Sequence, residues 1–300
     1  MRVFLTGATG FIGSFLVPEL ISAGHHVVGL SRSDAGAEAL THAGAEVFSG
    51  DVNDLERLRT AAELADGVIH AAFNHDFSNL KQNSENDRKV IETLGGVLAG
   101  SDRPLIVTSG TGLARSKTGR PAVETDDHIS SAEFPRAASE EAADALIAKG
   151  GRVMVMRLPQ VHDSRKQGRI TQHIQLARQQ GRVAYVGEGK NRLPAVHVLD
   201  AVRLYRLALE KGQAGVRYNA VGEEGVSLRD IAEVIGAGLK MPVESITPEE
   251  APEYFGWMAQ LAMIDLAASS VLTRQQLRWN PTGPDLLTDL RNMDYRTLRA

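Results

Sequence analysis

An apolar run, Val3-Phe4-Leu5, leads directly into Thr6-Gly7-Ala8-Thr9-Gly10-Phe11-Ile12-Gly13, and apolar residues at helical spacing (Phe15, Leu16, Leu20, Ile21) follow. A strand, a turn with three glycines and a helix, in that order, constrain the fold more tightly than any other stretch, because they open a parallel α/β sheet. Gly7 can take the tight turn off the strand, Gly10 lacks the Cβ that would hold a pyrophosphate away from the backbone, and Gly13 lets the helix lie close to the sheet. Phosphates would then sit on the free N–H groups and the positive end of that helix. The turn therefore reads as a dinucleotide-binding element built from Thr6, Gly7, Thr9, Gly10, Phe11, Ile12 and Gly13.

The second strand bears on which dinucleotide. Residues 25–30 form a buried strand pattern, and Ser31-Arg32-Ser33 follows it. An acid at this place accepts the ribose 2′-OH of NAD, whereas an Arg meets the 2′-phosphate of NADP. No acid stands at the strand end, since Asp34 comes later, in the loop. Arg32, flanked by Ser31 and Ser33, favours NADP (NADPH when reduced), with NAD left open.

Strand and helix patterns then alternate. Strands are expected at 45–48, 68–72, 105–108 and 153–158, and helices at 35–43, 54–65, 83–100 and 135–149. After Pro159 the alternation loosens into a polar helix at 169–180 between loops, a helix at 199–211, a strand at 216–219 and a helical, proline-broken tail over 226–300. This predicts a doubly wound parallel α/β sheet over 1–160 plus about 195–222. A smaller substrate lobe, made of 161–194 and 223–300, lies over the carboxyl edge.

Composition narrows the function classes. A net charge of −4 with mixed signs gives no basic face for nucleic acid, and the absence of Cys removes disulfides, thiolate metal sites and a Cys nucleophile. Met1 runs straight into the first strand, and no apolar run approaches the ~20 residues of a membrane span. No pair of His and carboxylate has a metal-ligand spacing on one helix face. The expectation is a cytoplasmic protein, monomer or homodimer, with a small-molecule substrate and no metal, membrane or nucleic-acid partner.

In this order the motifs resemble the extended, NAD-dependent epimerase/dehydratase-like branch of the short-chain dehydrogenase/reductase superfamily, whose sheet is of the Rossmann type. Thr-Gly-Ala-Thr-Gly-Phe-Ile-Gly at 6–13 resembles that branch's glycine turn, and Gly50-Asp51-Val52 its adenine-contacting segment. His70-Ala71-Ala72, with Phe73 after it, is similar to the segment under the pyrophosphate and ribose. Thr108-Ser109-Gly110 sits where the family carries its catalytic Ser or Thr. Arg157-Leu158-Pro159 resembles the turn that holds the nicotinamide. Asn191-Arg192 and 196–200 resemble the late element joining lobe to core, where Arg192 matches a diphosphate-gripping position.

One feature departs from that branch. Its acid is a Tyr with a Lys four residues on, where the ammonium lowers the phenol pKa and grips the ribose. None of the five Tyr here has a Lys four residues later. The Tyr place holds Phe134 or Pro135, and the Lys place Ala138 or Ser139. Replacement donors are sought on the carboxyl edge: Ser109 and Thr111 in the loop after the fifth strand, His75 beside Asp76, and His162 on the loop facing the nicotinamide. Asn74, Tyr185 and Arg192 are the candidate substrate contacts. The function expected is an NADP-dependent carbonyl reductase or dehydrogenase with a non-Tyr proton donor. The alternatives are a non-catalytic NADP-binding sensor and a sugar-nucleotide epimerase or dehydratase.

Overall fold

The computed structural model describes residues 1–297 apart from 115, 117 and 118; the last three residues of the expected lobe lie outside it. In chain order the first half runs β1 (Arg2–Thr6), α1 (Phe11–Ser22), β2 (His26–Ser31), α2 (Asp34–His42), β3 (Glu46–Ser49), α3 (Leu55–Glu63), β4 (Gly67–His70), α4 (Leu80–Leu98), β5 (Leu105–Gly110), α5 (Ala138–Ala148) and β6 (Val153–Leu158). The second half runs β7 (Gln160–His162), α6 (Ile170–Gln180), β8 (Val183–Val186), β9 (Arg192–His197), α7 (Val198–Lys211), β10 (Arg217–Asn219), β11 (Glu223–Ser227), α8 (Leu228–Leu239) and β12 (Val243–Ile246). Four short helices follow: α9 (Ala251–Phe255), α10 (Ala259–Met263), α11 (Val271–Leu277) and α12 (Leu286–Asn292).

Among the described residues, seven strands form one parallel sheet in the order β10-β6-β5-β4-β1-β2-β3. The strand order reverses between β1 and β4, so a crevice opens above their carboxyl ends, where such sheets bind ligands. Alternate residues of each strand face opposite layers. Val3, Leu5, Ile69, Ile106, Met154 and Met156 pack with α1 and α7, while Phe4, Val68, Val107, Val153 and Val155 pack with α3, α4 and α5. The small residues Ala142 and Ala143 let α5 lie close in that second layer.

A separate apolar cluster unites Ile170 and Ile174 of α6, Ile231 and Ile235 of α8, and Leu286 and Leu290 of α12. Two smaller sheets, β11-β9-β7 and β12-β8, complete this region. Both were invisible as strands in the loosened pattern after Pro159, because their paired segments lie far apart in sequence. No helix among the described residues is long and apolar enough to cross a membrane.

Candidate cofactor and active site

The glycine turn sits at the mouth of the crevice. Gly7 adopts φ +72°, and a Cβ there would stand 2.7 Å from the Ala71 carbonyl oxygen, so backbone meets backbone at this point. A Cβ on Gly13 would collide with the carbonyls of Gly7 and Ala8, which accounts for glycine where α1 presses on the turn. Gly10 differs: a Cβ there would meet only the Gly7 oxygen, at 3.2 Å. Gly10 is also the N-cap of α1 and supplies no side-chain cap, leaving the first-turn N–H groups open to an anion. The residues present thus fit a dinucleotide diphosphate. Thr9 is exposed beside them, and Phe11 and Ile12 are partly buried.

At the end of β2, the Ser31 hydroxyl donates to the Ser33 carbonyl (3.0 Å), and the Ser33 hydroxyl accepts from Gly36 N–H (3.2 Å), capping α2. Both serines are therefore engaged in shaping the turn. Arg32 is exposed, and among the described residues its guanidinium has no hydrogen-bond or ion-pair partner. Asp51 accepts from the backbone and side-chain nitrogens of Asn53, and Val52 packs against the α3–α5 layer.

Beneath the crevice runs a buried polar chain. Ala72 N–H donates to Thr6 Oγ1 (3.3 Å), Thr6 Oγ1 lies 2.7 Å from His70 Nδ1, and His70 Nε2 lies 2.9 Å from an Asp87 oxygen. A carboxylate only accepts, so Nε2 carries a proton toward Asp87, and in the neutral ring Nδ1 then accepts from Thr6. The other Asp87 oxygen takes the Ser139 hydroxyl and Arg136 Nη1. Burial pushes the Asp87 pKa up, but Arg136, with His70 and Ser139, overcomes this and holds it below the usual carboxylate value.

Arg136 is the residue that sequence reasoning missed. It lies in the window that lacks the Tyr and Lys, and its guanidinium sits at the carboxyl ends of β4 and β5. It donates to the Thr108 carbonyl (3.0 Å) and stacks 4.0 Å from the centre of the Phe73 ring. His75 packs edge-on to the same ring, at 5.4 Å. Partial burial first, and then the Arg136 charge, lower the His75 pKa. The usable signal was a cation one or two residues past the Tyr place, where none was expected. Lys166 was also missed: its ammonium lies 5.4 Å over the Phe11 ring of the glycine turn.

The expected catalytic residues separate. Ser109, expected in the loop, is the penultimate residue of β5, and strand alternation turns it toward α5. There its hydroxyl donates to Glu140 (2.7 Å), which is paired with the fully buried Arg157. Thr111 follows the strand in a short 3₁₀ turn, and among the described residues its hydroxyl has no hydrogen-bond partner. His162 is wholly buried, with Nδ1 2.7 Å from Asp289 of α12 and Nε2 without a hydrogen bond. Its place on the paired strand β7, rather than on a loop, holds it inside the fold. Thr108 bonds to the Tyr205 hydroxyl of α7 (2.7 Å), and Leu158 and Pro159 line the exit of β6, partly buried.

Among the substrate candidates, Asn74 is bonded to Asn83 and to Asp76 N–H in the loop after β4. Tyr185 lies on β8, with Arg229 5.9 Å from its ring. Arg192 is held by Asp265 through Nη2 at 2.7 Å and Nε at 3.1 Å.

Comparison with known proteins agrees with this architecture. Residues 3–221 match the NAD dependent epimerase/dehydratase family. The chain is 43% identical to an uncharacterized protein of Schizosaccharomyces pombe, over 98% of this chain and 100% of that one. It is 41% identical to an uncharacterized protein of Saccharomyces cerevisiae, over 97% and 98%. A solved structure of the dTDP-glucose 4,6-dehydratase DesIV (double mutant) from Streptomyces venezuelae, with NAD bound, superposes with a TM-score of 0.79 at 18% identity, covering 99% of this chain and 97% of that one. The chain belongs to the NAD-dependent epimerase/dehydratase family, and its fold is of that family's oxidoreductase type.

Proposed function

We propose that this protein is an NADP-dependent reductase of carbonyl compounds in which Arg136 takes over the electrostatic part of the absent Tyr and Lys. The observation that carries this reading is the Arg136 guanidinium, fixed at the carboxyl ends of β4 and β5 by Asp87 and the Thr108 carbonyl. When bound, NADPH supplies the hydride. The glycine turn and the open N-terminus of α1 hold the diphosphate, and Arg32 meets the 2′-phosphate. Arg136 and the unbonded Thr111 hydroxyl stabilise negative charge growing on the carbonyl oxygen. His75, on the exposed loop, gives that oxygen its proton from its imidazolium form, a fraction that its lowered pKa keeps small near neutral pH, and regains one from water. Ser109 and His162, both buried and bonded inward, have packing roles in this reading. Sugar nucleotides are disfavoured because Asp265 already occupies the Arg192 fork.

Titration of NADPH and NADH against the wild type, Arg32→Ala and Gly10→Val tests the cofactor part. NADPH should bind more tightly, Arg32→Ala should weaken it by roughly 1–3 kcal/mol, and Gly10→Val should abolish binding with an unchanged circular dichroism spectrum. NADPH oxidation with a panel of aldehydes and ketones tests the chemistry. Turnover that falls by about 10²-fold in Arg136→Met is expected. Tight NADPH binding with no turnover on any carbonyl would point instead to a cofactor-sensing protein, the reading that the missing Tyr favours.

A further inference from the structure

A pocket lies between α6, β8, β9, α8 and residues 255–262, apart from the crevice that would take the cofactor. It is a half-open cleft with a cavity volume of about 40 Å³, and its walls are almost wholly apolar: Leu193, Ile231, Phe255 and Met258 among them. Three side chains with polar groups stand in it, Arg169, His173 and the candidate substrate contact Tyr185. Arg169 bonds through its backbone N–H to Gln160 (3.1 Å), but among the described residues its guanidinium has neither a hydrogen bond nor an ion pair. Arg169 is only partly buried, but a cation set against apolar walls without a protein partner is incompletely solvated, which costs free energy in the folded chain. Such a group fits a site whose counter-charge arrives with a ligand.

We propose that this pocket binds the carboxylate of an organic acid with an apolar body, with Arg169 as the carboxylate fork. The charge count supports one anionic group. His173 Nε2 lies 3.2 Å from the Ala184 carbonyl, and the ring tilts onto Phe255 at 5.5 Å. Burial, with Arg169 alongside, brings its pKa down to about 4, so it is neutral near pH 7. Burial also lowers Arg169, to about 10, which leaves it charged. The pocket therefore presents one positive charge and a planar set of donors, the geometry that suits a carboxylate. Its apolar walls suit an aliphatic or aromatic body. The site stands apart from the crevice, and its assignment does not rest on the reductase reading.

Calorimetric titration of the full chain without cofactor tests the site. The probes are octanoate, 3-phenylpropionate, the primary amides of both, and UDP-glucose. Both acids should bind, and their amides should bind more weakly by about tenfold or more. Arg169→Met should lose the acids by a similar factor, with partial recovery in Arg169→Lys. Equal affinity for acid and amide, no binding of either acid, acid affinity unchanged in Arg169→Met, or preferential binding of UDP-glucose would each overturn the proposal. The acid–amide comparison on the wild type decides the matter if the variants do not fold. NADPH titration of the same sample separates the two readings: acid binding without NADPH binding upholds the pocket and removes the reductase.

Discussion

Two arginines share an apolar setting and differ in company. Arg157, at the end of β6, is fully buried and donates twice to Glu140 (2.9 and 2.7 Å) and once to the Asp126 carbonyl (3.1 Å). Glu140 in turn takes Ser109 and Arg217. Arg169, at the start of α6, has an apolar pocket around its guanidinium and no such partner among the described residues. The first is a closed set of charges that ties α5 to β6; the second is half of a pair. A buried cation by itself says little about function, and its hydrogen-bond complement decides how it is read.

The largest expected effect breaks the closed set. Arg157→Met strands the Glu140 carboxylate, with only Arg217 and Ser109 left to it, and should cost about 3–5 kcal/mol in chemical denaturation. The double variant Arg157→Met/Glu140→Gln should regain part of that loss. A cost under about 1 kcal/mol would remove the distinction drawn between the two sites.

The next effect is a pH dependence. The folded chain holds His173 at about 4, against 6.5 when exposed. As pH falls from 6.5 toward 4, the unfolded chain takes up a proton that the folded chain refuses, so stability falls over that window and is unaffected above it. The wild-type loss, taken relative to His173→Gln, should reach about 3 kcal/mol by pH 4. Parallel stability curves for the two proteins would show that the pocket is wetter than drawn.

The smallest effect has the opposite sign. Arg169→Met removes an unpaired charge and should raise the ligand-free Tm, by about 1 kcal/mol in stability. A loss as large as that of Arg157→Met would mean that Arg169 is also part of the scaffold.

The glycine turn was legible because two of its requirements are local, a positive φ at Gly7 and an uncapped helix start at Gly10; its backbone contact with Ala71, beyond β4, was not. The parallel sheet was legible from apolar strands alternating with helices, with boundaries within one to three residues for most elements. The active-site reading was less so. The direction in which Ser109 points depends on strand parity, which a one-residue shift reverses. The burial of His162 depends on Asp289, 127 residues away. Arg136 and Asp87 meet only because α4 packs against the short 3₁₀ turn, Pro135–Ala137, that leads into α5. Arg169 is plain in the sequence, but the absence of a partner is a property of the folded neighbourhood.

The apolar cluster shared by α6, α8 and α12 also sets a schedule for synthesis. The parallel sheet has all its strands once Asn219 has been made, whereas the second cluster still needs Leu286, Leu290, Met293 and Tyr295. At about 5–20 residues per second, translation of that interval takes roughly 4–15 s. Over that interval a nascent chain carries the full set of sheet strands beside an open apolar surface on α6 and, once made, α8, while the sheet's own cluster still awaits Leu277 and Trp279. Ribosome-associated chaperones would meet this protein at its second cluster, with the first complete but for its C-terminal residues Leu277 and Trp279.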